Sequence, residues 1–211
     1  MIELNNVEKV IKSKAVLKDI NLTINENDYI LLKGHNGCGK TMLLRLIAGL
    51  ISPSSGEKYN EKEYSYGVII ENPTFLLGES ALYNLKYLAE INNKISTDDI
   101  LELMKKLNLY DVRNKKVRSF SLGMKQRLAI IQAIMEEPDI LLLDEPFNAI
   151  DDDNLEIIYK MLNEYNESGH TIIIASHGDY SQKCKFNRII SMSDGKIKND
   201  VNSEQLYASA L

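Results

Sequence analysis

The sequence predicts an α/β protein: a mostly parallel sheet core, antiparallel strands at the N-terminus, and an inserted helical subdomain. Three observations predict it. Short runs rich in Ile and Leu, at residues 29–32, 140–143 and 171–176, read as strands buried on both faces, as parallel strands are. Helical periodicity alternates with these runs, the pattern of strand–helix–strand crossovers. Residues 80–135 break the alternation, with apolar side chains at helical spacing and no strong strand candidate. At 211 residues, 44% apolar and 26% charged, the chain is long enough for one sizeable core carrying an inserted subdomain.

Taken in order, Leu4 and Val7, then the alternating Ile20, Leu22 and Ile24, predict short N-terminal strands with one buried face, joined through Lys12-Ser13-Lys14. Tyr29-Ile30-Leu31-Leu32 is the next strand. It is followed by Gly34-His35-Asn36-Gly37-Cys38-Gly39-Lys40-Thr41, which fits G-x-x-x-x-G-K-[ST] at every fixed position, and by a predicted helix over 42–50. Strand, glycine loop and helix in that order are the context a phosphate-binding loop requires. Glycine lets the backbone turn successive N–H groups inward around phosphate oxygens, and the helix adds its positive end. Asn36, Gly37, Cys38, Gly39, Lys40, Thr41 and Met42 are therefore the candidate nucleotide-binding residues. Lys40 would reach the β- and γ-phosphates, and the Thr41 hydroxyl would ligate Mg²⁺. The plainer alternative is a Gly-rich turn before a helix.

Ser52-Pro53-Ser54-Ser55-Gly56 predicts a turn, and 66–70 another strand that Glu71-Asn72-Pro73 ends, since Pro73 biases Asn72 away from helix. Ser80 caps a helix with Ala81, Leu82, Leu85 and Leu88 on one face. Ile100, Leu101, Met104 and Leu107 mark a second helix after Thr97, and 121–135 a third. The core resumes after Pro138 with the 140–143 strand, which delivers Asp144 and Glu145. Asp151-Asp152-Asp153 suits the start of a helix whose apolar face is Leu155, Ile158, Tyr159 and Leu162. After Ser168-Gly169 come the 171–176 strand, a further strand over 188–192, and an Asp194-Gly195 hairpin turn. Residues 1–70 and 138–211 are thus expected to form the core of a single domain, with 71–137 as its helical subdomain.

No apolar run approaches the roughly 18 residues of a membrane span. The N-terminus lacks a signal-peptide pattern, so a cytoplasmic location is expected. Cys38 and Cys184 have neither pairing nor metal-ligand spacing and read as free thiols. Net charge is −5; residues 138–211 hold 13 acidic against 6 basic side chains, which disfavours a general nucleic-acid partner.

The strongest companion to the glycine loop is Leu141-Leu142-Leu143-Asp144-Glu145-Pro146. Asp144 would hold Mg²⁺, and Glu145 would orient and deprotonate the water attacking a γ-phosphate. Alone, two acids at a strand end often mean only that the chain is reaching solvent; the loop shifts the reading to catalysis.

At this point the chain resembles the ATP-binding subunits of ABC transporters. The resemblance covers nearly its whole length. It rests on the 34–41 loop, Ser119-Phe120-Ser121-Leu122-Gly123-Met124-Lys125-Gln126-Arg127, Leu143-Asp144-Glu145-Pro146, Asn148-Ala149-Ile150-Asp151 and Ser176-His177, in family order and spacing. It implies a P-loop NTPase fold, ATP and Mg²⁺ as ligands, and ATP hydrolysis that powers a separate membrane permease. It implies a peripheral position on the inner face of the cell membrane and a homo- or heterodimer of ATP-binding subunits. In that dimer Ser121, Gly123 and Met124, a variant of the family signature L-S-G-G-Q, would face ATP held by the opposite subunit. His177 would be the switch histidine beside Glu145 and Lys40 in the catalytic set. Apart from the resemblance, Ser121 is a plain helix cap and His177 a polar residue at a strand end.

Two positions depart from the family. Glu71 stands where Gln commonly contacts Mg²⁺, and is expected to ligate the metal alongside Thr41 and Asp144. Followed by Asn72-Pro73, and together with Ser-Leu-Gly-Met-Lys-Gln-Arg, it resembles the bacitracin-resistance and lantibiotic-immunity branch, which implies export of a peptide or drug. Ile11 falls where an aromatic ring often stacks on adenine, a contact of about 1–3 kcal/mol that an aliphatic side chain would weaken; otherwise a neighbouring residue reaches the base. The helical block and the loop at 71–77 are the expected permease contact, with Phe75, Leu76 and Leu77 as candidate apolar contacts unless they are core residues. The alternative function is a non-transport ATPase of the same family acting as a switch on a ribosome or DNA.

Overall fold

The computed structural model describes residues 1–71, 73–178, 180 and 182–202. The expectation for Asn72 lies outside them. The nine strands among the described residues are β1 Ile2–Ile11, β2 Lys14–Ile24, β3 Tyr29–Lys33, β4 Ser55–Asn60, β5 Tyr66–Ile69, β6 Ile140–Asp144, β7 Thr171–Ser176, β8 Arg188–Ser193 and β9 Lys196–Asn202. The five α-helices among the described residues are α1 Lys40–Ile47, α2 Ala81–Asn92, α3 Thr97–Lys106, α4 Leu122–Ile134 and α5 Asp152–Glu167.

The N-terminal strands are not short. β1 and β2 form a hairpin of 10 and 11 residues, closed by Lys12 and Ser13 at φ 48° and 63°. Two consecutive positive φ values match the right-handed twist of the paired strands. Polar residues on the open face, such as Asn5, Glu8 and Lys9, conceal the strand's length from an apolar pattern. β4 joins β1 on its other side, giving the order β2-β1-β4. The sequence reads Ser55 and Gly56 as turn, yet they are strand, because Gly56 at φ 78° backs directly onto Asn6; a Cβ there would lie 2.2 Å from the Asn6 carbonyl oxygen.

The second sheet has the order β5-β6-β7-β3-β8-β9, parallel throughout except for the β8–β9 hairpin. Side chains alternate between two cores. Leu31, Leu141, Leu143, Ile172 and Ile174 face the layer containing α4 and α5, and Ile30, Leu32, Leu142, Ile173 and Ala175 face α1 and the β1–β2 hairpin. Lys33 pairs with Ser176, and Asp144 with Ala175. That register brings the ends of β3, β6 and β7 to one edge of the sheet, where ligands bind in parallel α/β folds.

The helices begin with the chemistry their sequences provide. Ser80, Ser121 and Asp151 cap α2, α4 and α5, accepting the amides of Tyr83, Met124 and Asn154. In α3 the cap is Ser96, reinforced by Asp99 in a capping box, one residue before the Thr97 boundary read from the sequence. α1 starts at Lys40 and stops at Ile47, short of the predicted Leu50, with Gly49 at φ 73° turning the chain and Leu50 exposed.

Candidate active site

The 34–41 loop is built around three glycines with separate reasons. Gly34 has no room for a side chain: a Cβ would lie 2.5 Å from both the Met192 carbonyl oxygen and Cys38 Sγ. Gly37 and Gly39 take φ 81° and 115°, closed to most other residues. No side chain caps α1, so the amides of Lys40, Thr41 and Met42 lack intrahelical acceptors and are available to an anion. Lys40 is buried, its ammonium donating to the Gly34 carbonyl at 2.6 Å and the His35 carbonyl at 3.5 Å. Cys38 is a free thiol, as expected, and its side chain is buried. It is packed in the core beneath the loop, and its carbonyl accepts the Gly195 amide at 2.9 Å.

A cleft of about 380 Å³ opens above this loop, lined by Asn36, Gly37, Gly39, Lys40, Thr41 and Met42, and on its far side by Asp144 and Glu145. A larger cavity of about 970 Å³ lies elsewhere, between α3 and the C-terminal ends of α4 and α5, and includes none of the loop. The loop amides, Lys40 and the two carboxylates converge on the smaller cleft, not on the larger one.

Thr41 Oγ1 donates to Asp144 Oδ2 at 2.5 Å. Burial pushes the Asp144 carboxyl above its usual range, and the charges of Glu145 and Glu71 add to the effect, against the Thr41 hydrogen bond and Lys40. A divalent cation between the hydroxyl and the carboxylate would favour the ionised form. No cluster of three His, Cys, Asp or Glu side chains among the described residues could cage a metal alone. Two hard oxygens completed by phosphate and water suit Mg²⁺, which seldom uses an all-protein cage. Glu71 is not in this pair. Its backbone is left-handed at φ 65°, and its carboxylate accepts from Arg45 Nη2 at 2.7 Å.

Glu145 sits at φ 47° with its amide donating to the Ala175 carbonyl at 2.9 Å, which turns its side chain toward the end of β7. Oε1 accepts the His177 amide at 3.0 Å and lies 2.8 Å from His177 Nδ1. Oε2 accepts the Ser176 hydroxyl at 2.9 Å. Glu145 and His177, separated by 32 positions in the chain, are therefore in direct contact.

Residues 17–148 match the ABC transporter family. The chain belongs to that family. The ABC transporter ATP-binding protein YybJ of Bacillus subtilis (strain 168), itself uncharacterized, is 45% identical over 186 residues, 84% of this chain and 85% of that protein. The lantibiotic transport ATP-binding protein SrtF of Streptococcus pyogenes is 33% identical over 184 residues, 84% of this chain and 80% of that protein. Among solved structures, a dimeric ATP-binding cassette, MJ0796, in a post-hydrolysis state with ADP and Pi, superposes with a TM-score of 0.86. It is 26% identical, over 96% of this chain and 98% of that one. The family resemblance and fold class read from the motifs are borne out.

In this ABC protein the signature segment stands apart from the cleft: Ser121, Gly123 and Met124 do not line it. The Ser121 hydroxyl accepts the Met124 amide at 3.2 Å, the capping role that a plain sequence reading assigns. Gly123 is required by a close approach, since a Cβ would lie 2.4 Å from the Ala149 carbonyl oxygen. Gly123→Ala is expected to lower unfolding free energy by about 2 kcal/mol, read as a reduced denaturant midpoint. An unchanged midpoint would mean that α4 yields freely at this contact.

Ile11 does not line the cleft either. It ends β1 opposite Lys14, half-exposed, whereas Lys14, Ala15 and Val16 of β2 line the cleft. Asp194 and Gly195 also line it and were legible only as a turn. Their proximity follows from the pairing of β8 beside β3, which no local pattern encodes.

Proposed function

We propose that this chain binds ATP with Mg²⁺ and hydrolyses it to drive a separate membrane permease. The observation that carries the reading is the meeting of Lys40, Thr41, Asp144 and the Glu145–His177 pair at one sheet edge. The loop amides and Lys40 would bind the phosphates, with the ammonium exchanging loop carbonyls for phosphate oxygens. Thr41 and Asp144 would hold the metal, which neutralises charge on the β- and γ-phosphates when bound. Glu145 would accept a proton from the attacking water, and His177 would fix its carboxylate. Ser121, Gly123 and Met124 are assigned to ATP on a second copy, in keeping with their absence from the cleft of their own chain. The division into a core at 1–70 and 138–211 and a helical subdomain at 71–137 belongs to the same reading.

No helix among the described residues is long and apolar enough to cross a membrane, and the reading assigns the pathway to the partner. Phe75 packs partly against the core, whereas Leu76 and Leu77 are exposed, as are Tyr83, Tyr87 and Ile91 along one face of α2. These five apolar side chains are the proposed permease contact, and the same reading sets the chain at the inner face of the membrane. The likeness to SrtF, a lantibiotic transport protein, supports a lantibiotic-type substrate, and export is the direction proposed for it.

Phosphate release from ATP is expected to require Mg²⁺ and to stop in excess EDTA; a full rate in EDTA would remove Thr41 and Asp144 from the metal role. A multi-span membrane protein is expected to copurify from solubilised membranes and to be lost with the Leu77→Asp, Tyr87→Asp double variant. Its absence with the unaltered chain would overturn the transport reading.

A further inference from the structure

The two oxygens of the Glu145 carboxylate are held differently. Oε1 accepts the His177 amide at 3.0 Å and lies 2.8 Å from His177 Nδ1, which donates in the tautomer that an acceptor-only carboxylate selects, whereas Oε2 faces one donor, the Ser176 hydroxyl at 2.9 Å. A carboxylate oxygen offers about two lone-pair sites, so Oε1 is saturated and Oε2 keeps one free. Ser176 is fixed in its own right. It ends β7, is 1% exposed, and its oxygen accepts the Gly178 amide at 3.2 Å, which directs its single hydrogen toward Glu145. It does not line the phosphate cleft.

We propose that Ser176 is a positioning residue for ATP hydrolysis: its hydroxyl clamps Oε2 of Glu145 so that the remaining lone pair of that oxygen receives the water proton. The inference rests on the reading of Glu145 as the base. In the step, the water proton passes to Oε2 as the water oxygen bonds to the γ-phosphorus. The bond from that phosphorus to the β–γ bridging oxygen breaks, giving ADP and phosphate. Without the hydroxyl, the carboxylate is held on Oε1 alone and turns about its terminal bond. The fraction of productive orientations then falls, while the nucleotide contacts remain.

The test compares Ser176→Ala, Ser176→Thr and Glu145→Gln in the full chain, measuring steady-state ATPase kinetics and binding of a fluorescent ATP analogue. Ser176→Ala is expected to lower kcat about tenfold, with KM and analogue affinity within about twofold of the parent. Ser176→Thr, which restores a hydroxyl, is expected to recover most of kcat. If Ser176→Ala keeps the parental kcat while Glu145→Gln is inactive, the clamp is wrong and the base assignment stands. If Glu145→Gln turns over normally, the base assignment fails and the clamp with it. A Ser176→Ala loss of analogue affinity in proportion to kcat, or a Ser176→Thr variant as slow as Ser176→Ala, would also overturn the clamp.

Discussion

Replacing Glu145 with Gln is expected to cut ATP turnover by about 100-fold or more while leaving nucleotide binding intact. The substitution keeps the shape of the side chain and one oxygen to accept from His177, whose amide and ring both approach Oε1. It removes the negative charge and the proton-accepting oxygen. The phosphate-binding elements, Lys40 and the amides at the start of α1, are untouched, so the loss falls on kcat rather than on affinity. Phosphate release under saturating ATP measures the first quantity and analogue fluorescence the second. With hydrolysis blocked, ATP is also expected to hold two copies together, seen as an earlier peak in size-exclusion chromatography. A Gln variant with parental turnover would move the base to another residue.

The largest effect on stability is expected from Gly67→Ala, about 3 kcal/mol. Gly67 lies within β5 where α4 crosses it, and a Cβ would stand 2.0 Å from the Ala133 carbonyl oxygen and 2.7 Å from Pro138 Cγ. The nearest obstacle is backbone, which cannot rotate aside as a flexible side chain does. Either α4 lifts from the sheet, opening space around Ile130 and Ile134, or β5 gives up its pairing with β6. Urea unfolding followed by far-UV circular dichroism would read the loss directly. A change below about 1 kcal/mol would show that α4 shifts at little cost.

The sequence exposes those parts of the fold in which local pattern and burial agree. β3, β6 and β7 are covered on both faces, so their apolar runs are unbroken and their boundaries fall within a residue of the expected ones. Ser80 and Ser121 are visible as caps because their hydroxyls act within their own helix turn. β4 is the opposite case. Its residues Ser-Gly-Glu-Lys-Tyr-Asn are held by pairing with β1 rather than by an apolar face, and pairing leaves no periodic trace.

The same division applies to the site. The glycine loop and the Asp144-Glu145 pair are contiguous and legible. The contact of Arg45 with Glu71 is not, because it depends on how α1 faces the end of β5. That Lys14, Ala15 and Val16 line the cleft and Ile11 does not depends likewise on the bulged register of the β1–β2 hairpin.

The close approach of Gly123 to the Ala149 carbonyl makes the start of α4 and the chain leaving Glu145 a single mechanical part. Ala149 is four positions beyond Glu145 and itself takes φ 62°. The tip of α4 therefore rests on the same short segment that carries the Glu145 carboxylate, and bulk added at Gly123 would press on that segment rather than on solvent.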